Sequence, residues 1–168
     1  QIFGVDVSYI EGLLEVMNHQ MNLSRGMSYT INLSLNELIT NVDDHSETPI
    51  GCFACAQYTP ASQLIRICIA DFGIGILEAL SKAPKYKTLQ NSAEAIKLAV
   101  EPGVSSRVKR AEGLGLTHIR NFLKINQGTL SIISGDSKVN FYYNKIVERL
   151  MPVPFPGTSC LGSLKLEH

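Results

Sequence analysis

Leu64-Ile65-Arg66-Ile67-Cys68-Ile69-Ala70-Asp71-Phe72-Gly73-Ile74-Gly75-Ile76 runs from an apolar strand into a glycine-spaced turn, and this junction decides the fold. The run up to Ala70 is rich in β-branched residues and reads as a strand, with Asp71 at its end. Glycines at 73 and 75 permit either a sharp strand-to-helix turn or close approach of a bound group to the backbone. The carboxylate of Asp71 can cap that turn or accept a hydrogen bond from an adenine amine. Both readings stay open on this motif alone.

Immediately upstream, residues 52–58 form a second strand-like run, separated by Thr59-Pro60-Ala61-Ser62, so the two are expected to pair as a hairpin. Before it, Leu35, Leu38, Ile39 and Val42 recur at helical spacing. Ser8 and Glu11 form a capping box ahead of Ile10, Leu13, Leu14 and Met17, which predicts a still earlier helix. Downstream, a helix is expected over 93–100, then a mobile polar stretch over 101–112. Gly113-Leu114-Gly115-Leu116 opens another helix, carrying Leu116, Ile119, Phe122 and Leu123 and ending near Asn126 and Gly128. Strands are expected at 129–134 and 139–143, joined through Gly135-Asp136, and at 159–166. This order predicts an α+β fold, a two-layer α/β sandwich with helices on one face of a mixed, mainly antiparallel sheet.

With 168 residues, 45% of them hydrophobic, the chain can build one continuous core, and residues 1–165 are read as a single domain. Fifteen basic and fifteen acidic residues cancel. That balance gives no global attraction to nucleic acid or an anionic membrane, so neither is expected as a partner. No apolar run approaches the roughly 20 residues that cross a bilayer, and no signal segment opens the chain, so a cytoplasmic location is expected. The start at Gln1 and the final Leu166-Glu167-His168 suggest a piece of a longer protein with residues 166–168 as a tag remnant. Cys52 and Cys55 form a C-x-x-C without a second pair, since Cys68 and Cys160 are isolated in sequence; zinc is weakly supported and the pair reads as small hydrophobes of a strand.

Three clusters carry candidate chemistry. Glu37, Asn41, Asp44 and His45, at offsets of four, seven and eight, are expected on one stripe of a helix. Glu37 could polarise water or an acceptor hydroxyl, and Asn41 could ligate Mg²⁺; the same row is also what a solvated helix face looks like. Asp71, Gly73, Gly75 and Ile76 form the second cluster. Asp71-Phe72-Gly73 spells the metal-binding triplet of protein kinases, but the His-Arg-Asp and strand-lysine signatures are missing, as is a P-loop. The third, Gly113-Leu114-Gly115-Leu116, puts a helix N-terminus where a phosphate could bind, with Arg107, Lys109 and Arg110 just before it. A plain loop-to-helix junction with solvated charges has the same composition.

Taken in order, Asn36-Glu37-Leu38-Ile39-Thr40-Asn41-Val42-Asp43-Asp44-His45-Ser46, Asp71-Phe72-Gly73-Ile74-Gly75-Ile76 and Gly113-Leu114-Gly115-Leu116 resemble the ATP-binding boxes of the GHKL superfamily of histidine-kinase-like ATPases. Pro156-Gly157-Thr158 resembles the family's approach to its last strand. The resemblance implies a Bergerat-type sandwich that binds ATP and Mg²⁺, with Glu37 similar to the general base and Asn41 to the metal ligand. It implies that Asp71 recognises adenine, that Gly73, Gly75 and Ile76 flank the base, and that Gly113, Leu114, Gly115 and Leu116 lie beside the phosphates under a lid formed by residues 101–112. Asp44 departs from the pattern, because many kinase members carry a lysine there, and His45 is the nearby group that could offset its charge. The resemblance implies phosphoryl transfer to a protein partner, as a histidine-kinase-like or anti-sigma-factor-like serine kinase, or ATP hydrolysis in signalling. The alternatives are a nucleotide-dependent switch and a degenerate module without turnover. A protein phosphoacceptor and a homodimer are the expected partners, although no phosphoacceptor helix with a His followed by Glu or Asp is present.

Overall fold

The computed structural model describes residues 11, 12, 15–17, 19, 24–104 and 115–166. Among the described residues, helices α1 (Arg25–Asn41), α2 (Gly75–Ser81), α3 (Ser92–Ala99) and α4 (Gly115–Ile125) accompany strands β1 (Cys52–Thr59), β2 (Leu64–Asp71), β3 (Thr129–Phe141) and β4 (Ile146–Lys165). Residues 11, 12, 15–17 and 19 are helical, within the span where the first helix is expected, whereas its capping residue Ser8 lies outside the described residues. The strands form one sheet in the order β1-β2-β4-β3. Every pairing is antiparallel, so the mixed sheet expected from the sequence is corrected to an all-antiparallel one among the described residues.

Alternation along the strands decides which face is covered. Cys52, Ile65, Ile69, Leu130, Ile132, Cys160 and Leu164 point to the helical layer and are buried. Cys55, Gln57 and Arg66, one position out of phase, are exposed on the opposite face. Ile31, Leu35 and Ile39 on α1 close over β1 and β2. Ile96 and Val100, with Ile119 and Leu123 of α4, close over β3 and β4. Each such fully buried aliphatic side chain contributes roughly 1.5–3 kcal/mol. Caps fix two helix starts: the Ser24 hydroxyl accepts from the Met27 N–H at 3.2 Å, and the Asn91 side chain accepts from the Glu94 N–H at 2.8 Å.

The hairpin across Thr59-Pro60-Ala61-Ser62 pairs residue for residue from Cys52↔Asp71 to Thr59↔Leu64. Gly135-Asp136, however, is not a turn. β3 passes straight through it, and the register with β4 shifts on both sides of Gly135. Gly135 adopts φ +57, and the buried set moves from Leu130, Ile132 and Ser134 to Ser137, Val139 and Phe141, the signature of a bulge that restores the inward phase. The Ser92 and Ser137 hydroxyls hold the Asp136 carboxyl below the usual carboxylate range. The real hairpin turn comes later, where the Tyr142 N–H donates to the Lys145 carbonyl at 2.9 Å. β4 therefore begins at Ile146 rather than near 159. Pro152 and Pro154 occupy the stretch opposite the bulge, where a missing N–H interrupts no regular ladder.

Candidate functional site

The end of α1 and the turn after β2 meet directly. α1 stops at Asn41 and continues as a π-helical turn, Val42–Ser46, which rotates side chains less per residue than an α-helix. Glu37 and Asn41 share one stripe of α1 and are both half-buried, while Asp43 and Asp44 are exposed on the wider turn that follows. The His45 side chain lies outside the described residues. The Ile74 N–H donates to the Ser46 carbonyl at 2.8 Å, and Glu47 pairs with Lys82 at the far end of α2.

Gly73 and Gly75 are needed for this junction itself. A Cβ on Gly73 would strike the Ser46 main chain, and one on Gly75, at φ +76, would lie 2.9 Å from the Ser134 hydroxyl. The space expected to admit a base is thus partly taken by the protein's own backbone. Gly157, at φ +101, packs under the same turn, where a Cβ would meet the Asp71 carbonyl and lie 2.7 Å from the Gly73 nitrogen. Ser134 links the layers: its hydroxyl accepts from the Ile76 N–H at 2.9 Å and donates to the Gly157 carbonyl at 3.0 Å.

Asp71 sits at the centre of these contacts, 5% exposed. Its Oδ1 accepts from the Gly73 N–H at 2.8 Å, the bond that also closes the turn, and the Thr158 main chain adds a second. Burial pushes the carboxyl above its ordinary pKa, opposed by those hydrogen bonds. The turn-capping role is therefore present, and a carboxylate with further acceptor capacity stands at the strand end.

At the other glycine pair, Gly115 is the first residue of α4 and Leu116 is half-buried. Leu116 and Ile76 pack against the same core cluster, so the helices after the two glycine pairs share one support. Gly113, Leu114 and residues 105–112 lie outside the described residues. In the first turn of α4, the Thr117 hydroxyl and His118 Nδ1 are buried with no hydrogen-bond partner, an unusual state for two adjacent polar side chains. A cleft of about 410 Å³ lies elsewhere, between α4 and the β3–β4 turn, lined by Arg120, Lys124, Phe141, Tyr142 and Lys145 and by none of Glu37, Asn41 or Asp71. Among the described residues no three His, Cys, Asp or Glu side chains converge as a metal site, and no helix is long and apolar enough to cross a membrane.

The sequence reading assigned no role to Ser134, Ser46 or Thr117. Ser134 had a usable signal, a hydroxyl on the inward phase of an apolar strand, where it must find partners. No protein-family model matches this chain, and no curated protein matches it in sequence.

Proposed function

We propose that this chain is an ATP-binding domain of the GHKL type, built on a Bergerat-type sandwich and acting in the cytoplasm by Mg²⁺-dependent phosphoryl transfer to a protein partner or by ATP hydrolysis. The observation that carries the reading is the Ile74–Ser46 bond, which joins the helix bearing Glu37 and Asn41 to the turn bearing Asp71. The unpartnered Thr117 hydroxyl after the second glycine pair supplies further support, since it could donate to a phosphate there.

In this reading Asp71 accepts from the adenine amine, and the first turn of α4 faces the phosphates. Bound Mg²⁺ would neutralise phosphate charge, with Asn41 as its protein oxygen ligand and phosphates and waters completing the shell. Glu37 accepts the proton of the attacking water or acceptor hydroxyl. Positioning and electrostatics supply most of the rate, as elsewhere in phosphoryl transfer. Calorimetric titration of Mg-ATP into wild type and Asp71→Asn tests the site: the wild type binds and the variant loses affinity. Equal or absent binding in both overturns it. Transfer of labelled phosphate from ATP that persists in Glu37→Gln removes the catalytic assignment.

A nucleotide-driven switch is the second reading, favoured by one contact. Glu101, at the start of the expected lid, pairs with Arg120 of α4 at 2.6 Å in a half-exposed bridge that phosphate contacts could outcompete. Hydrogen exchange over residues 101–112 that is the same with and without ATP rules this out.

A further inference from the structure

The C-x-x-C of β1 is not a unit, because three residues along a strand reverse the face. Cys52 points into the helical layer, 1% exposed, whereas Cys55 stands exposed on the open face of the sheet. The residue facing Cys55 is Cys68, its direct partner across the antiparallel β1–β2 pair, although Cys68 looks isolated in sequence. Cys68 is half-buried on the same face of the sheet as Cys55. The Ser159 hydroxyl lies 3.7 Å from the Cys68 sulfur on its other side. Residues directly opposite in an antiparallel pair have Cα atoms about 4.5–5.5 Å apart, inside the roughly 4.4–6.8 Å that a disulfide spans.

We propose that Cys55 and Cys68 are a redox-active dithiol that a hydroperoxide closes to a cross-strand disulfide. Cys55, the exposed thiol, is the one a peroxide reaches. Its sulfur attacks the peroxide, the O–O bond breaks, and a sulfenic acid forms with release of water or the corresponding alcohol. The Cys68 sulfur then attacks the Cys55 sulfur; the S–S bond forms, the S–O bond breaks, and the oxygen leaves as water with the Cys68 proton. Two thiols are oxidised by two electrons and one peroxide is reduced. Its place directly across the strand pair suits Cys68 to resolve a sulfenic acid on Cys55, and burial, which pushes its thiol above the ordinary pKa, keeps it from meeting peroxide first. Cys52, pushed up to about 11 by burial, and Cys160, pushed higher by the same cause, face the helices and stay reduced.

The consequence is mechanical. Among the described residues β1 is an edge strand, and the bond would staple it to the strand that ends at Asp71. This inference stands independently of nucleotide binding. The test treats the chain with hydrogen peroxide, alkylates remaining thiols after unfolding, and maps peptides by mass. Two of the four cysteines are expected to become unavailable to alkylation. A Cys55–Cys68 cross-linked peptide lighter by two hydrogens should appear, and dithiothreitol should reverse it. In Cys68→Ser, a sulfenic acid should accumulate at Cys55 and be trapped by dimedone. The wild-type map is decisive even where a variant fails to fold. Cys55 ending as sulfinic acid with Cys68 still reduced, or Cys55–Cys55 dimers in place of the internal cross-link, would overturn the proposal.

Discussion

The carbonyl of Ser46 accepts the main-chain N–H of Ile74 at 2.8 Å. The last carbonyls of a helix have no partner within it, and here the one at the end of the π-helical turn is satisfied by the turn after β2. Gly73 makes the approach possible, because any side chain there would strike the Ser46 main chain. One backbone bond thus couples the helix of Glu37 and Asn41 to the turn of Asp71.

Gly73→Ala should therefore destabilise the fold by roughly 1–3 kcal/mol, the range for forcing extra volume into a packed site. Gly26→Ala is the matched control. Gly26 lies in the first turn of α1 with nothing near its missing Cβ, and the change should gain up to about 1 kcal/mol from helix propensity. Urea unfolding of the two variants separates them by sign; a Gly73→Ala protein as stable as wild type would show that the junction yields.

Asp71→Asn should raise stability at neutral pH. Burial places the folded-state pKa of Asp71 above its unfolded value of about 3.9, so between the two the folded chain holds a proton that the unfolded chain has lost. Its favourable contribution is complete below the unfolded pKa and is lost as pH rises through the folded one. At neutral pH the buried charge is a net cost. Asparagine keeps an oxygen for the Gly73 N–H and carries no charge, so a gain of about 1 kcal/mol, or roughly 2–4 °C in Tm, is expected. That advantage should shrink as the pH falls through the folded pKa. Thermal melts across pH decide it, and a Tm difference that grows on acidification would reverse the sign.

What the sequence made legible was local: the hairpin around Pro60, the stripes of α1 and α4, and the Asp71 turn all follow from period, caps and turn chemistry. Gly135-Asp136 misled because a glycine with positive φ serves a hairpin turn and a bulge equally, and only pairing with β4 separates them. α2 was hidden by its length of seven residues, too short for a periodic signal. The π-helical turn leaves no mark in residue order, so plain α-helical spacing was expected through its residues. The Cys55–Cys68 pair is a property of register, which spacing along the chain does not carry.

Ser34→Ala should stabilise the protein. The Ser34 hydroxyl on α1 is buried without a hydrogen-bond partner and borders an apolar cavity of about 50 Å³ between α1, α4 and the sheet, alongside Leu38, Ile67, Phe122 and Gly162. Removing an unsatisfied buried polar group recovers about 1 kcal/mol, and alanine adds its better helix propensity. A rise of a few degrees in Tm, roughly 2–4 °C for 1 kcal/mol, is the expected reading. A fall would mean that water occupies the site and that the hydroxyl is satisfied.

Thr117 offers the sharpest separation of structure from function. Its hydroxyl is buried and unpaired in the first turn of α4, just after the second glycine pair. In the nucleotide-free protein, Thr117→Val conserves shape and removes the unsatisfied group, so stability should hold or rise by about 1 kcal/mol. If phosphate oxygens are what this hydroxyl awaits, the same change deletes a hydrogen bond to a charged group, worth about 1.5–3 kcal/mol. Mg-ATP affinity should then fall roughly ten- to hundred-fold. Thr117→Ser retains the hydroxyl and should keep most of the affinity. Calorimetry on the three proteins reads both effects against their melts. Unchanged affinity in the valine variant, with intact folding, would detach the first turn of α4 from the phosphate end and leave its buried polar atoms to a structural cause.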